Sequence, residues 1–105
     1  MALLHRFINA PSASTKKILT RRILVGRASE EAEALKAASW GAVLLLQGAI
    51  PEMFSAVDVG SKASPVLVTE VAGNCPQNLV TMAFIGNVAD VKLVMSALKS
   101  EGVIT

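Results

Sequence analysis

The apolar positions of this chain change their spacing along its length, and the spacing divides it into elements. Ala42 to Leu46 is an unbroken apolar run, the pattern of a strand buried on both faces. Val66 to Val71, released by Pro65, and Leu79 to Ile85 read as two further strands. Between the first and second of these runs the spacing becomes helical. Pro51 suits a first helical turn, and Ile50, Phe54, Val57 and Ser61 share one face, with Glu52, Asp58 and Lys62 largely off it. A last helix follows Asn87, which caps it with Asp90 three residues on. Val88, Val91, Met95 and Leu98 form its buried stripe, Lys92 and Lys99 face outward, and Gly102 closes it.

The first forty residues are less regular. Leu3 to Ile8 reads as a short strand, and Ala10 to Ser14 as a turn-rich break. Lys17 to Val25 reads as a strand with Ile18, Thr20, Arg22 and Leu24 on one side, although Leu19 and Ile23 sit on the other. Ser29 is a good N-cap, Glu30 and Glu31 favour a first helical turn, and Gly41 ends the short helix that follows. The order β-β-α-β-α-β-β-α predicts an α/β (α+β) sandwich: one mostly antiparallel sheet with helices packed on it.

Composition adds a constraint on assembly. A chain of 105 residues makes one domain, 1–105, and buries only roughly 65% of its unfolded surface. Yet 52% of the residues are apolar and 17% charged, with a mean hydropathy of +0.53. That is more apolar side chain than a small monomer hides, so one or more faces are expected to be buried against copies of the chain. The densest window, AASWGAVLLLQGAI, is interrupted by Ser39, Gly41, Gln47 and Gly48 and suits a buried strand, so no membrane span is expected.

Charge is uneven. Arg6, Lys16, Lys17, Arg21, Arg22 and Arg27 precede the first acid, Glu30. Such a stretch also fits a mitochondrial transit peptide. A nucleic-acid arm is a poorer reading, because Phe7 is the only aromatic among the first 39 residues. A solvated polar strand face accounts for it most simply.

The chemistry-bearing residues are few. His5 has no second His or Cys at ligand spacing, Ser12, Ser14 and Thr15 lack a partner base, and Glu30, Glu31 and Glu33 read as helix-terminus charges. The GNV stretch of Gly86 to Val88 is no phosphate loop. Met53, Met82 and Met95 read as core fillers. Nothing assembles a nucleophile, a base and an oxyanion site, so no enzyme is expected. Cys75 is the only cysteine, in the run AGNCPQ. One cysteine excludes a disulfide framework or a zinc site within one chain, and a reducing, intracellular setting is the default.

From Trp40 to Ser100 the chain resembles the bacterial microcompartment (BMC-domain) shell family. Three stretches carry the resemblance: AVLLLQGAIPEMFSAVDVGSKAS, PVLVTEVAGNCPQNLVTMAFIG and GNVADVKLVMSAL, the last with Asn87 where the family's Gly-Asp-Val helix has aspartate. Ordinary members begin near the first stretch and add a strand and helix at the end. Here about forty residues precede Trp40, so the chain resembles the circularly permuted branch. In that branch the N-terminal residues, here 1–14, lie near the sixfold axis, and Leu3 to Ile8 would build a small barrel over the pore, with 15–105 as the core.

The resemblance implies a cyclic homo-hexamer that tiles into sheets with other shell proteins, with a pore at its axis. The loop Gly73, Asn74, Cys75, Pro76 and Gln77 would line that pore, and Lys62 would pack at the hexamer edge. The G-x-C-P-Q motif is similar to that of the branch found in glycyl-radical propanediol-type microcompartments. There it implies an iron–sulfur cluster, a four-iron cubane shared between subunits, that passes electrons across the shell to encapsulated redox enzymes. A zinc or other soft metal held by several of the ring's thiolates is a second reading of Cys75, and a small, semi-buried side chain in a turn is a third. No nucleic acid or membrane is expected as partner, and the setting is the bacterial cytoplasm. The alternative function is a small cytosolic ligand-binding or regulatory α+β domain that forms a dimer or tetramer.

Overall fold

A computed structural model describes residues 3–25, 29–73 and 79–105, without the side chain of Ser29. Strand β1 (Leu4–Asn9) is followed by helices α1 (Ala13–Leu24) and α2 (Ser29–Ala37). Then come β2 (Ala42–Ala49), α3 (Ile50–Ala63), β3 (Leu67–Val71), β4 (Leu79–Gly86) and α4 (Val88–Ser100). The strands form one antiparallel sheet in the order β1-β2-β4-β3. Leu4–Asn9 pairs with β2 along its whole length, from Leu4↔Gln47 to Asn9↔Ala42, and so forms one edge of the sheet.

Helices cover both sides of this sheet. Successive strand residues point to opposite faces, and β2 and β4 supply apolar side chains to both. Ala42, Leu44, Leu46 and Phe84 face α3 and α4, where they pack with Met53, Ala56, Val91, Val94 and Leu98. Val43, Ala83 and Ile85 face the other way and pack with Leu19, Ile23 and Leu35 of α1 and α2. The unbroken apolar run of β2 is thus the signature of a strand sandwiched between two helical layers.

One expectation needs correction. Lys17 to Val25 is not a strand; Lys17 to Leu24 belong to helix α1, and Val25 is its C-cap. Ser12 caps that helix, its Oγ accepting the Thr15 N–H at 3.1 Å. Leu19 and Ile23, four residues apart, supply the buried contacts, and burying that pair against β3 and β4 outweighs the short alternation around it. The basic residues Lys17, Arg21 and Arg22 therefore occupy the exposed side of a helix. Helix α3 carries a second apolar stripe beside the face that Ile50, Phe54, Val57 and Ser61 share. Its core-facing stripe is Met53, Ala56 and Gly60, while Ile50 and Phe54 stay exposed.

The last helix behaves as expected. Asn87 Oδ1 accepts the Asp90 N–H at 2.8 Å, and Gly102, at φ 73°, ends the helix in the left-handed region that glycine adopts freely. The chain then turns back so that Ile104 enters the core and the Val103 carbonyl accepts the Leu3 N–H at 3.0 Å. Ser64 Oγ donates to the Asp90 carbonyl at 2.8 Å, joining the end of α3 to the start of α4.

Candidate functional site

The strand register gives the sheet two distinguishable ends. At one end lie Leu4, Gln47, Thr81 and Val71, with β2 leaving through Ala49 and β4 entering at Leu79. Residues 72–78 connect β3 to β4 at this end. At the other lie Asn9, Ala42, Gly86 and Leu67. Helix α3 starts at the first end and returns the chain to the second, a span of about 21 Å at 1.5 Å per residue.

The expected pore loop falls mostly outside the described residues: Asn74, Cys75, Pro76 and Gln77 are not among them. The approach to it is described. The Ala72 N–H donates to the Arg22 carbonyl at 3.1 Å, and Arg22 Nη1 reaches the Ala72 carbonyl at 3.5 Å. The last turn of α1 thereby holds the chain where it leaves β3. It also places Arg21 and Arg22 on that turn, where cations complement the carbonyl end of a helix. At Gly73 an added Cβ would meet nothing within 4 Å, so packing inside one subunit does not require glycine there.

Lys62 sits in the last turn of α3, toward the opposite end of the sheet. Its Nζ donates to Asp58 Oδ2 at 2.8 Å, and both side chains are well exposed. The pair has the favourable helical order, acid four residues before base. The structure thus separates Gly73, where the expected loop begins, from Lys62 by about the length of a helix.

Two apolar grooves flank the start of α3 at the same end as residues 72–78. The first, about 320 Å³, is lined by Ile50, Phe54 and Val57 of α3 and by Val80 and Met82 of β4, with Glu70 beside them. The second, about 420 Å³, lies toward β1 and is lined by Leu3, Leu4, Gly48, Ala49, Glu52 and Leu79. The sequence pattern marked the 50/54/57 stripe of the first groove but not its exposure. It gave no sign that Arg21 and Arg22 would stand beside Ala72. The capping Ser12 and the Leu19–Ile23 spacing were the signals that could have placed them on a helix.

Among the described residues no three His, Cys, Asp or Glu side chains gather where they could hold a metal ion. No described helix is long and apolar enough to cross a membrane.

Known structures share this fold. The fold matches the GrpU microcompartment shell protein of Pectobacterium wasabiae at 28% identity and a TM-score of 0.64, over 91% of this chain and 99% of that one. It matches the GrpU microcompartment shell protein of Clostridiales bacterium 1_7_47FAA at 27% identity and the same TM-score, over 94% of this chain and 90% of that one. The chain shares the fold of these microcompartment shell proteins, which supports the BMC-domain resemblance of its sequence. No protein-family model matches the sequence, and no curated protein does. The match extends through nearly the whole chain, so it takes in most of the N-terminal forty residues as well as the part from Trp40 onward.

Proposed function

We propose that this shell protein assembles as a cyclic hexamer that tiles a microcompartment shell in the bacterial cytoplasm, with residues 73–77 around a central pore and Lys62 at the outer edge. The observation that carries this reading is the opposed placement of the two features. The β3–β4 connection leaves one end of the sheet and Lys62 lies toward the other, as a ring with a pore inside and a tiling edge outside requires. The role is structural, with passage of a solute or of electrons through the pore.

Cys75 is the candidate ligand for an iron–sulfur cluster on the axis. The residues of one subunit do not suffice, because a cluster takes several thiolates and the chain has one cysteine. Rotational symmetry supplies the rest, since each copy adds one thiolate at an equal distance from the axis. When bound, such a cluster supplies one-electron chemistry. The chain's own part is to hold the loop. Arg22 and Ala72 anchor its entry, and β4 begins at Leu79 beyond it.

The test is anaerobic purification followed by native mass spectrometry and electron paramagnetic resonance, on the wild type and on Cys75→Ser. The expected result is a hexamer with an inorganic mass increment and a reducible cluster signal, and a Cys75→Ser hexamer that lacks both. A Cys75→Ser chain that fails to assemble would make the cysteine structural and remove the cluster assignment.

A further inference from the structure

Helix α1 carries cations and no acid. Its sequence, ASTKKILTRRIL, holds Lys16, Lys17, Arg21 and Arg22. Helices α3 and α4 are balanced by contrast, with Glu52, Asp58 and Asp90 against Lys62, Lys92 and Lys99. Among the described residues no ion pair engages the four cations of α1. Arg22 Nη1 reaches a carbonyl, that of Ala72 at 3.5 Å, which leaves its charge unmatched.

The face these cations occupy is more than a solvated one. Leu19 and Ile23 turn one side of the helix into the core. Lys17, Ile18, Arg21, Arg22 and Val25 lie at i, i+1, i+4, i+5 and i+8, which gathers them on the other side. All five are exposed, Ile18 at 55% and Val25, the C-cap, at 61%. Contact with water accounts for the cations. It does not account for two branched apolar side chains, seven residues apart, standing among them. An apolar centre within a charged rim is the make-up of a protein-binding surface.

We propose that this face of α1 docks a carboxylate-rich surface of another protein, with acids of the partner on Lys17, Arg21 and Arg22 and its apolar side chains on Ile18 and Val25. The charge of the face selects the partner, because like charges across an interface are costly and opposite charges speed encounter. The patch is small, since a helix of 12 residues is about 18 Å long. A contact of that size is weak and reversible rather than permanent. Nucleic acid fits less well, because α1 has no aromatic side chain on which a base can stack. The docked protein also stands at a particular place. The Arg22 carbonyl accepts the Ala72 N–H at 3.1 Å, so the last turn of the face borders the point where the β3–β4 connection begins. On the pore reading above, each subunit presents its acid-binding face beside the pore mouth. The docking itself stands without that reading, because every residue it uses belongs to one subunit.

The test follows fluorescence anisotropy of two labelled peptides on the full chain, at low and at physiological salt. One peptide is glutamate-rich with two leucines spaced i and i+7, and the other has serines in place of the leucines. The leucine peptide is expected to bind, the serine peptide to bind about threefold more weakly, and both to weaken as salt rises. Lys17→Glu with Arg21→Glu, checked for its fold by circular dichroism, is expected to lower binding about tenfold, whereas Lys92→Glu with Lys99→Glu on α4 leaves it within about twofold. Equal losses from the two double variants would mean that the peptide answers only to net charge, and would overturn the proposal. Absence of binding to the wild type, or tighter binding of single-stranded DNA than of the leucine peptide, would overturn it as well. If the wild type binds the peptide with the expected residue dependence but forms no ring in native mass spectrometry, the docking stands and only its place beside a pore is lost.

Discussion

The two apolar stripes of α3 are alike in sequence and opposite in circumstance. Met53, Ala56 and Gly60 are buried in the core that Phe84 and Val94 share, whereas Ile50 is 42% and Phe54 72% exposed. Both stripes repeat at helical spacing, and neither carries a charge. The difference teaches that an apolar stripe states only that a face avoids water. What covers the face is decided by the rest of the fold. The core stripe has small residues where α3 crosses the sheet, and that is its one distinguishing mark. A Cβ on Gly60 would lie 2.5 Å from Phe84 Cε2 and 3.1 Å from Val94 Cγ1, so α3 comes as close to the sheet as a missing side chain permits.

The comparison is broken most forcefully at its centre. Phe84 is fully buried, and Phe84→Ala is expected to cost about 3–5 kcal/mol of subunit stability at every protein concentration. Phe54→Ala, one helix face away, is expected to leave the dissociated subunit within about 0.5 kcal/mol of wild type. Urea unfolding of the dilute subunit reads both. If Phe54→Ala destabilised the dilute subunit as Phe84→Ala does, the two stripes would not differ in kind.

A smaller change sharpens the same contrast. Gly60→Val places atoms where Phe84 and Val94 already sit, and overpacking of this sort costs typically 1–3 kcal/mol. An urea titration that found Gly60→Val neutral would mean that the Phe84 ring has room to turn aside. Smaller again is the cap of α4. Asn87→Ala removes the acceptor held by the Asp90 N–H and is expected to lower stability by about 1 kcal/mol, with Asn87→Asp retaining most of it.

How much of this was legible beforehand follows the same division. The sheet strands and α3 and α4 were readable because each has one strong periodicity and clear punctuation, such as Pro51, Pro65, Asn87 and Gly102. Helix α1 was not readable, because Ile18, Thr20, Arg22 and Leu24 alternate like a strand while the Leu19–Ile23 pair that decides the matter is only two residues long. The loop motif around Cys75 was visible as a string of letters, and the fold adds where that string begins and ends: at Ala72 beside Arg22, and at Leu79. The grooves were not legible. Exposure of Phe54 depends on α3 turning Met53 toward the sheet, which is a property of packing and not of residue type.

The weakest contact carries the sharpest test of the outer end. The Asp58–Lys62 pair bridges 2.8 Å between two side chains that are 63% and 73% exposed. A surface pair at this spacing contributes about 0.3–0.5 kcal/mol and is screened by salt. Lys62→Ala is therefore expected to leave subunit unfolding nearly unchanged and the ring mass intact. If Lys62 packs between neighbouring rings, the same variant should lose the flat arrays that the wild type forms, as seen by negative-stain electron microscopy. So small an effect within the subunit makes the result easy to assign, because a loss of arrays from a stable ring must arise where rings meet. Arrays that persisted in Lys62→Ala would leave Lys62 as an ordinary helix cation, and the asymmetry of α3 would then lie entirely at its first turns.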